Sequence, residues 1–241
     1  MFTMPVPAHA PTRSTLVMFS GGVDSTYLLV KLLRETDDEV LAHHIHFFNA
    51  EGRAQVEADR SRAIIAWLQR NVRAFAYTES ALDHRGLRWF GSDIMASGFE
   101  AGLVANSYRM TTGRHLDRFV HGYCTDEASQ RDLFGRAMAH ACCAANCFPH
   151  PAPEFWKAPA VSKAEELAAL PEPVRKLVWT CRWPVPQPGG FGECGRCLTC
   201  RTMAIARVQL AASNAPDGYR TPSFDPPLDA PDYGSAELRQ W

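Results

Sequence analysis

The sequence lacks an excess of either charge, since 25 Lys and Arg stand against 26 Asp and Glu, for a formal net charge of -1. This balance excludes a generally basic nucleic-acid coat and an acidic solvating tail. The sequence also lacks any apolar run near the roughly 18 residues that a membrane span needs. Its first residues, with Pro5, Pro7 and Pro11, lack the charged-then-apolar layout of a signal peptide. We therefore expect a cytoplasmic protein with no membrane partner and no direct binding to nucleic acid.

The first half of the chain alternates between short apolar segments and longer segments in which apolar residues recur at helical spacing. Strands are expected at 16–19, 39–48, 72–76 and 119–120. Helices are expected at 26–34, 53–70 and 94–109, although Gly98 and Gly102 interrupt the pattern of the third helix. This alternation predicts an α/β fold whose parallel, Rossmann-like sheet is covered by helices on both faces.

A short polar stretch lies between the first expected strand and the first expected helix. It consists of Ser20, Gly21, Gly22, Val23, Asp24 and Ser25. Glycines in such a turn let the backbone approach a ligand, and the following helix directs free N–H groups at it. The serine hydroxyls can donate to phosphate oxygens, and Asp24 can help to hold Mg²⁺. The stretch matches neither the Walker motif nor the dinucleotide turn. It predicts a phosphate-binding loop, and the alternative is a turn that binds nothing.

The eight cysteines are not spread like a disulfide framework. Four of them, Cys181, Cys194, Cys197 and Cys200, offer enough thiolates to close a tetrahedral zinc site. Because such a site leaves no open position, we expect a structural role for the ion. An iron–sulfur cluster is an alternative, although no Cys-Pro pair follows Cys200. Free thiols without a ligand are the other alternative.

Two further groups could hold a metal ion. His43, His44 and His46 lie on the second expected strand, where residues 43 and 44 should point to opposite faces, so a structural role is favoured. A second group matches no known ligand spacing, and we expect ordinary buried or partly exposed thiols there. Its members are His140, Cys142, Cys143, Cys147 and His150.

The loop at residues 20–25 resembles the PP-loop of the ATP pyrophosphatases. Trp179-Thr180-Cys181, followed by Cys194-Gly195-x-Cys197-x-x-Cys200-Arg201, is similar to the C-terminal zinc motif of the 7-cyano-7-deazaguanine (preQ0) synthase family. Ser162-Lys163-Ala164-Glu165 looks like a helix start in that family, and Glu57 falls where the family carries a glutamate. The resemblance covers most of residues 15–210 and is strongest near the two ends of that range.

This resemblance implies a PP-loop, adenine-nucleotide-α-hydrolase-like fold with a small C-terminal zinc-binding subdomain. It implies ATP and Mg²⁺ at residues 20–25, with Ser20, Asp24 and Ser25 in catalysis, and structural Zn²⁺ on the four cysteines. The implied reaction is that of a ligase of queuosine biosynthesis. It adenylates 7-carboxy-7-deazaguanine, captures it with ammonia as an amide, and dehydrates the amide to the nitrile. A homodimer is also implied.

The middle of the chain departs from the family pattern. An Arg-Asn pair is expected where this chain has Phe90-Gly91-Ser92-Asp93, and a Tyr-Pro-Asp-Cys segment where it has residues 122–130, from Gly122 to Gln130. The exact substrate therefore stays open. A tRNA-modifying sulfur transferase, with Cys124 as its cysteine, is one alternative. An amide-forming deazaguanine relative and a non-catalytic nucleotide- and zinc-binding partner protein are others.

Four regions follow from these observations. We expect an N-terminal extension at 1–14, a PP-loop domain at 15–160, a helical segment with the cysteine site at 161–212, and an extended or disordered tail at 213–241. Ser162-x-x-Glu165 is typical of a helix start, and a further helix is expected at 198–210. The prolines between 149 and 159 are expected to break any regular element. Prolines also recur through the tail, which suggests no packed structure there.

Overall fold

The computed structural model describes residues 13–87, 93–125, 130–159 and 161–213. Five parallel strands form the central sheet. They are β1 (Ser14–Met18), β2 (Glu39–Phe48), β3 (Ala76–Asp83), β4 (Arg118–His121) and β5 (Glu154–Phe155), in the spatial order β3-β2-β1-β4-β5. The predicted α/β class with a parallel sheet is therefore confirmed.

Seven helices and a two-stranded antiparallel hairpin complete the described part of the chain. The helices are α1 (Val23–Glu35), α2 (Ala54–Asn71), α3 (Asp93–Thr112), α4 (Gln130–Cys147), α5 (Lys163–Ala169), α6 (Glu172–Arg175) and α7 (Leu198–Ser213). The hairpin pairs β6 (Val185–Gln187) with β7 (Gly190–Gly192). None of these helices combines the length and the hydrophobicity that a membrane crossing requires.

Helices cover both faces of the sheet. Successive side chains of each strand point in opposite directions, so each strand contributes to a core on either face. Val17 of β1 faces a core that it shares with α1, α2, α5 and α7. Its neighbour Leu16 faces a second core, formed with α3 and α4. The C-terminal helices α5 and α7 thus pack on the same face as α1, the helix that follows the predicted loop.

Strand β1 lies in the middle of the sheet, between β2 and β4. The chain leaves β1 toward β2 and β3 on one side, and it later returns to add β4 and β5 on the other. Open α/β sheets bind ligands at the carboxyl ends of the strands where the order reverses in this way. In this fold that position lies between Phe19, after β1, and Gly122, after β4.

The two glycines that interrupt α3 have a packing role. A Cβ on Gly102 would lie 2.7 Å from the carbonyl oxygen of Cys143, and a Cβ on Gly98 would overlap the backbone of Ala139. Both neighbours belong to α4, so the glycines allow the two helix backbones to approach closely. The predicted helix is confirmed and extends slightly beyond 94–109 at each end.

The prediction for the third strand was wrong. Residues 72–75 connect α2 to the sheet, with the Val72 amide bonded to the Leu68 carbonyl, and β3 begins only at Ala76. The segment that does form β3 is polar because it lies at the edge of the sheet. Prolines also did not prevent the short strand β5, whose residues pair with Arg118 and Phe119 of β4.

Several predictions fall outside the described residues. These are most of the extension at 1–14, the tail apart from Ser213, and the departing positions Phe90–Ser92 and 126–129. The boundaries of the four predicted regions stay predictions.

Candidate functional site

The predicted phosphate-binding residues come together at the end of β1. Ser20 Oγ lies 3.1 Å from Ser25 Oγ, and the Gly22 amide donates to Ser20 Oγ across 3.3 Å. Ser25 Oγ also accepts from the Ser20 amide, at 3.2 Å. Both hydroxyls therefore lie at the start of α1, beside the free amides of its first turn.

Close packing fixes the loop backbone from two sides. Gly21 has a positive φ of 77°, and a Cβ there would lie 2.6 Å from Ser61 Oγ of α2. A Cβ on Gly122, after β4, would lie 2.6 Å from the carbonyl carbon of Asp24. The Trp179 amide also donates to the Gly21 carbonyl, at 3.0 Å. The loop is thus held by β4 and by the segment that leads to the cysteine cluster.

A lysine contacts the acid of the loop. Lys163 Nζ donates to Asp24 Oδ1 across 2.5 Å, and its side chain is only 4% exposed. Lys163 is the first residue of α5, and a capping box fixes its position: the Glu165 amide donates to Ser162 Oγ, and the Ser162 amide donates to Glu165 Oε2. The helix start was predicted from the sequence, but the contact with the loop was not.

A cleft opens beside the loop at the carboxyl ends of β1, β2 and β4. One part of it is lined by residues after β1 and β4 and by three histidines: His43, His44 and His121. A second part extends toward Lys163, Trp179 and Arg182. The two parts share Ser20, Asp24, Arg53 and Glu57 as lining residues. A ligand that reaches from one part to the other would therefore pass the loop.

A network of charges, buried at Glu51, Arg53 and Glu57, forms one wall of this cleft. The Arg53 guanidinium contacts three carboxylates: Nε lies 2.6 Å from Glu51 Oε2, Nη1 lies 2.8 Å from Glu57 Oε1, and Nη2 lies 2.7 Å from Asp93 Oδ2. Arg182 reaches two of the same carboxylates, at 2.6 Å from Glu51 and 3.1 Å from Asp93. Burial raises the pKa of Glu57 to about 7 against the opposing effect of Arg53. Apart from Glu57, these residues were not identified as site residues from the sequence, because they lie on three separate segments.

The strand histidines are bound to protein partners. His43 Nδ1 lies 2.8 Å from Thr78 Oγ1, whereas His44 Nδ1 lies 2.9 Å from the Phe19 carbonyl on the other face of the sheet. Burial lowers the pKa of both to about 4, so both are neutral. Neither belongs to a metal-competent group among the described residues. The structural role favoured for these histidines is in agreement with these contacts.

The four predicted cysteines form one cluster. Their sulfur atoms all lie within 4.8 Å of one another, and Cys194 Sγ lies 3.9 Å from Cys200 Sγ. Zn–S bonds of about 2.3 Å in a tetrahedron place sulfur atoms about 3.8 Å apart, so the cluster can hold one metal ion. A multinuclear iron–sulfur core would need more space between the thiolates.

Within the part of the chain that the structure describes, the other cysteine group does not form a metal-competent cluster. Cys143 and Cys147 are buried on α4 in the core formed with α3, and Cys142 is half-buried. Burial raises the pKa of Cys143 and Cys147, as expected of inert core thiols. The prediction of ordinary thiols agrees with this placement.

The loop has one more cysteine nearby. Cys124 follows β4, is buried, and belongs to a group with Asp24 and Glu166 whose ligand atoms lie within 4.8 Å of one another. The sequence places Cys124 after the fourth strand, and the fold brings it to the loop.

No protein-family model and no curated protein sequence matches this chain. A solved structure, that of the U34-tRNA thiolase NcsA from Methanococcus maripaludis with its [4Fe-4S] cluster, aligns with a TM-score of 0.48 at 14% sequence identity. The alignment covers 85% of this chain and 68% of that chain. At this level of similarity, the functional assignment depends on the residues of this chain itself.

Proposed function

We propose that this chain is an ATP-using enzyme of the PP-loop class that activates a carboxylic acid by adenylation. The assembly of two loop hydroxyls, an acid and a buried lysine in the crevice between β1 and β4 carries the proposal. Ligands of open α/β sheets bind at this position, and hydroxyl, amide and ammonium donors suit phosphate oxygens.

Each part of the loop has a distinct task in this reaction. A carboxylate oxygen of the acid attacks the α-phosphorus, the bond to the bridging oxygen breaks, and pyrophosphate leaves with the electron pair. Ser20, Ser25 and the first amides of α1 bind the phosphates, and Lys163 balances the charge that develops on the departing group. Asp24 would hold Mg²⁺, which when bound neutralises phosphate charge.

The specific substrates that we propose are 7-carboxy-7-deazaguanine and ammonia. The adenylated acid gives an amide, and a second activation with loss of water gives the nitrile, 7-cyano-7-deazaguanine. The sequence resemblance supports this proposal. Two of the departing positions have clear local roles in this chain, since Asp93 binds Arg53 and Arg182, and Gly122 packs on the loop.

The metal proposed for the cysteine cluster is zinc in a structural role. The spacing of the sulfur atoms suits one tetrahedral ion, and four thiolates leave no position for a reacting water. The cluster is connected to the cleft wall through Arg182, which is adjacent to Cys181 in the sequence and contacts Glu51 and Asp93. The ion would therefore also position one end of the charge network.

Sulfur transfer to tRNA is the second candidate function. The observation that favours it is the position of Cys124, whose thiol lies within 4.8 Å of a carboxylate oxygen of Asp24. A thiol beside the proposed nucleotide site is the group that such a transfer requires.

One assay separates these functions. The metal-loaded protein is incubated with ATP, Mg²⁺, ammonium and 7-carboxy-7-deazaguanine; acid-dependent pyrophosphate release is measured, and amide and nitrile are sought by mass spectrometry. The triple variant Ser20→Ala/Asp24→Ala/Ser25→Ala should lose activity, and Thr111→Ala, exposed on α3, should keep it. A fully active Cys124→Ser protein would count against sulfur transfer. If pyrophosphate release does not respond to the acid, the proposed substrate is wrong.

A further inference from the structure

Glu57 lies where the two parts of the cleft meet. It lies in the first turn of α2, is 5% exposed, and lines both parts of the cleft where they meet the loop. Its Oε1 accepts from Arg53 Nη1 across 2.8 Å. Within the described ranges no hydrogen bond reaches its second oxygen, Oε2. One carboxylate oxygen is thus held in place, and the other stays available to a ligand.

The charges around Glu57 do not balance. Among the described residues, the network contains three carboxylates, on Glu51, Glu57 and Asp93, but two guanidinium groups, on Arg53 and Arg182. This leaves one negative charge. Across the cleft, the positive charge of Lys163 is already paired with Asp24, so it does not offset this surplus negative charge. Burial raises the pKa of Glu57 to about 7, and the nearby carboxylates of Asp93 and Glu51 add to this effect, so Glu57 can take up a proton near neutral pH.

Amide formation needs such a proton acceptor. Ammonium, like the amine of lysine, is protonated in neutral water and then has no lone pair with which to attack. A base works best when its own proton affinity is matched to the working pH. Asp24 is tied to Lys163, and Glu51 and Asp93 each contact both arginines. Among the described carboxylates of this wall, Glu57 is thus the one held through a single oxygen by a single arginine.

We propose that Glu57 is the catalytic base that accepts a proton from ammonium before the amide forms; this rests on the proposed function. Ammonium gives one proton to Glu57 Oε2, and the freed lone pair forms the C–N bond to the acyl carbon of the adenylate. The C–O bond to AMP breaks, AMP leaves with the electron pair, and the second surplus proton on nitrogen passes to solvent.

The test separates adenylation from amide formation in the full-length, metal-loaded protein. Acid-dependent exchange of labelled pyrophosphate into ATP reports the first step, and amide from ammonium reports the second. E57Q should keep exchange within twofold and lose amide formation by about 100-fold or more. Gln is isosteric and removes the surplus negative charge, so the variant should fold. E100Q is the matched control: Glu100 is equally buried, on α3, and lies outside the cleft lining.

A change of nucleophile provides the decisive readout. Hydroxylamine is a free base at neutral pH and needs no proton acceptor before it attacks, so E57Q should form the hydroxamate at the wild-type rate. In the wild type, the rate with ammonium should rise as the pH passes about 7, and E57Q should lack this inflection. E57D should recover part of the amide formation because it restores the carboxylate.

Three outcomes would overturn the inference. Unchanged amide formation in E57Q would show that no base is needed at this position. Loss of exchange together with amide formation would assign Glu57 to the nucleotide step, and an equal loss with hydroxylamine would show that Glu57 is not the proton acceptor. The absence of acid-dependent exchange in the wild type would instead overturn the proposed function, and the role of Glu57 with it.

Discussion

Lys163 Nζ and Asp24 Oδ1, which belong to residues 139 apart in the sequence, lie 2.5 Å from each other at the loop after β1. The pair joins helix α5 to the loop after β1. A buried lysine is costly to desolvate without an anionic partner, and Asp24 supplies one. When phosphate groups enter the cleft, the same ammonium group is positioned to contact them.

The first prediction concerns this lysine. Lys163→Gln should reduce kcat/KM for ATP by about 100-fold or more in the pyrophosphate-release assay, because a charged donor to the phosphates is lost. Lys163→Arg should not restore activity, since the planar guanidinium does not fit the space of a compact ammonium group. Lys176→Gln is the control, because Lys176 is exposed and paired with Glu172. If the activity of K163Q is close to that of the control, Lys163 does not contribute to the reaction and the prediction is wrong.

The second prediction concerns the close approach of β4 to the loop. In Gly122→Ala, the new Cβ would lie 2.6 Å from the Asp24 carbonyl carbon, so the loop backbone must shift. We expect a loss of about 1–3 kcal/mol in the free energy of unfolding, together with weaker ATP binding. Chemical denaturation and equilibrium binding measure the two effects. Gly86→Ala should change neither, because among the described residues beyond its chain neighbours no atom lies within 4 Å of the position of its Cβ.

The parallel α/β class and the position of the loop could be predicted from local sequence. Strand β2 has the predicted bounds of 39–48 because it is buried and apolar over most of its length. The loop was identified because its residues are consecutive, so their chemistry is visible without knowledge of the fold.

The remainder of the site depends on distant contacts that no local pattern records. Arg53, Asp93 and Arg182 converge from three segments, and Lys163 reaches the loop across most of the chain. Strand β3 escaped prediction for a related reason. Its polar residue Thr78 is stabilised by its cross-strand partner His43, which sequence periodicity does not reveal.

The third prediction concerns the cysteine cluster. The purified protein should contain one zinc ion per chain, and Cys200→Ser should lose it, with a cost of about 3 kcal/mol or more in stability. Metal analysis and thermal unfolding provide the measurements. Cys142→Ser should retain both the metal and the stability, because Cys142 is a half-buried thiol on α4. An iron–sulfur absorption spectrum in the protein as isolated would contradict the zinc assignment.

The fourth prediction concerns acid stability. Burial lowers the pKa of His43 and His44 to about 4 in the folded protein, whereas both should titrate near 6.5 when unfolded. Between these values the unfolded chain binds more protons than the folded one, so stability is complete above pH 6.5 and falls as the pH drops toward 4. Each histidine can contribute up to about 3 kcal/mol to this loss. In His43→Gln, unfolding measured from pH 7 to pH 4 should show a shallower decline than in the wild type. The control Arg85→Gln changes an exposed residue and should leave the decline unchanged. If the stability of His43→Gln falls with pH as steeply as that of the wild type, His43 takes up its proton equally well in the folded protein, and the prediction is wrong.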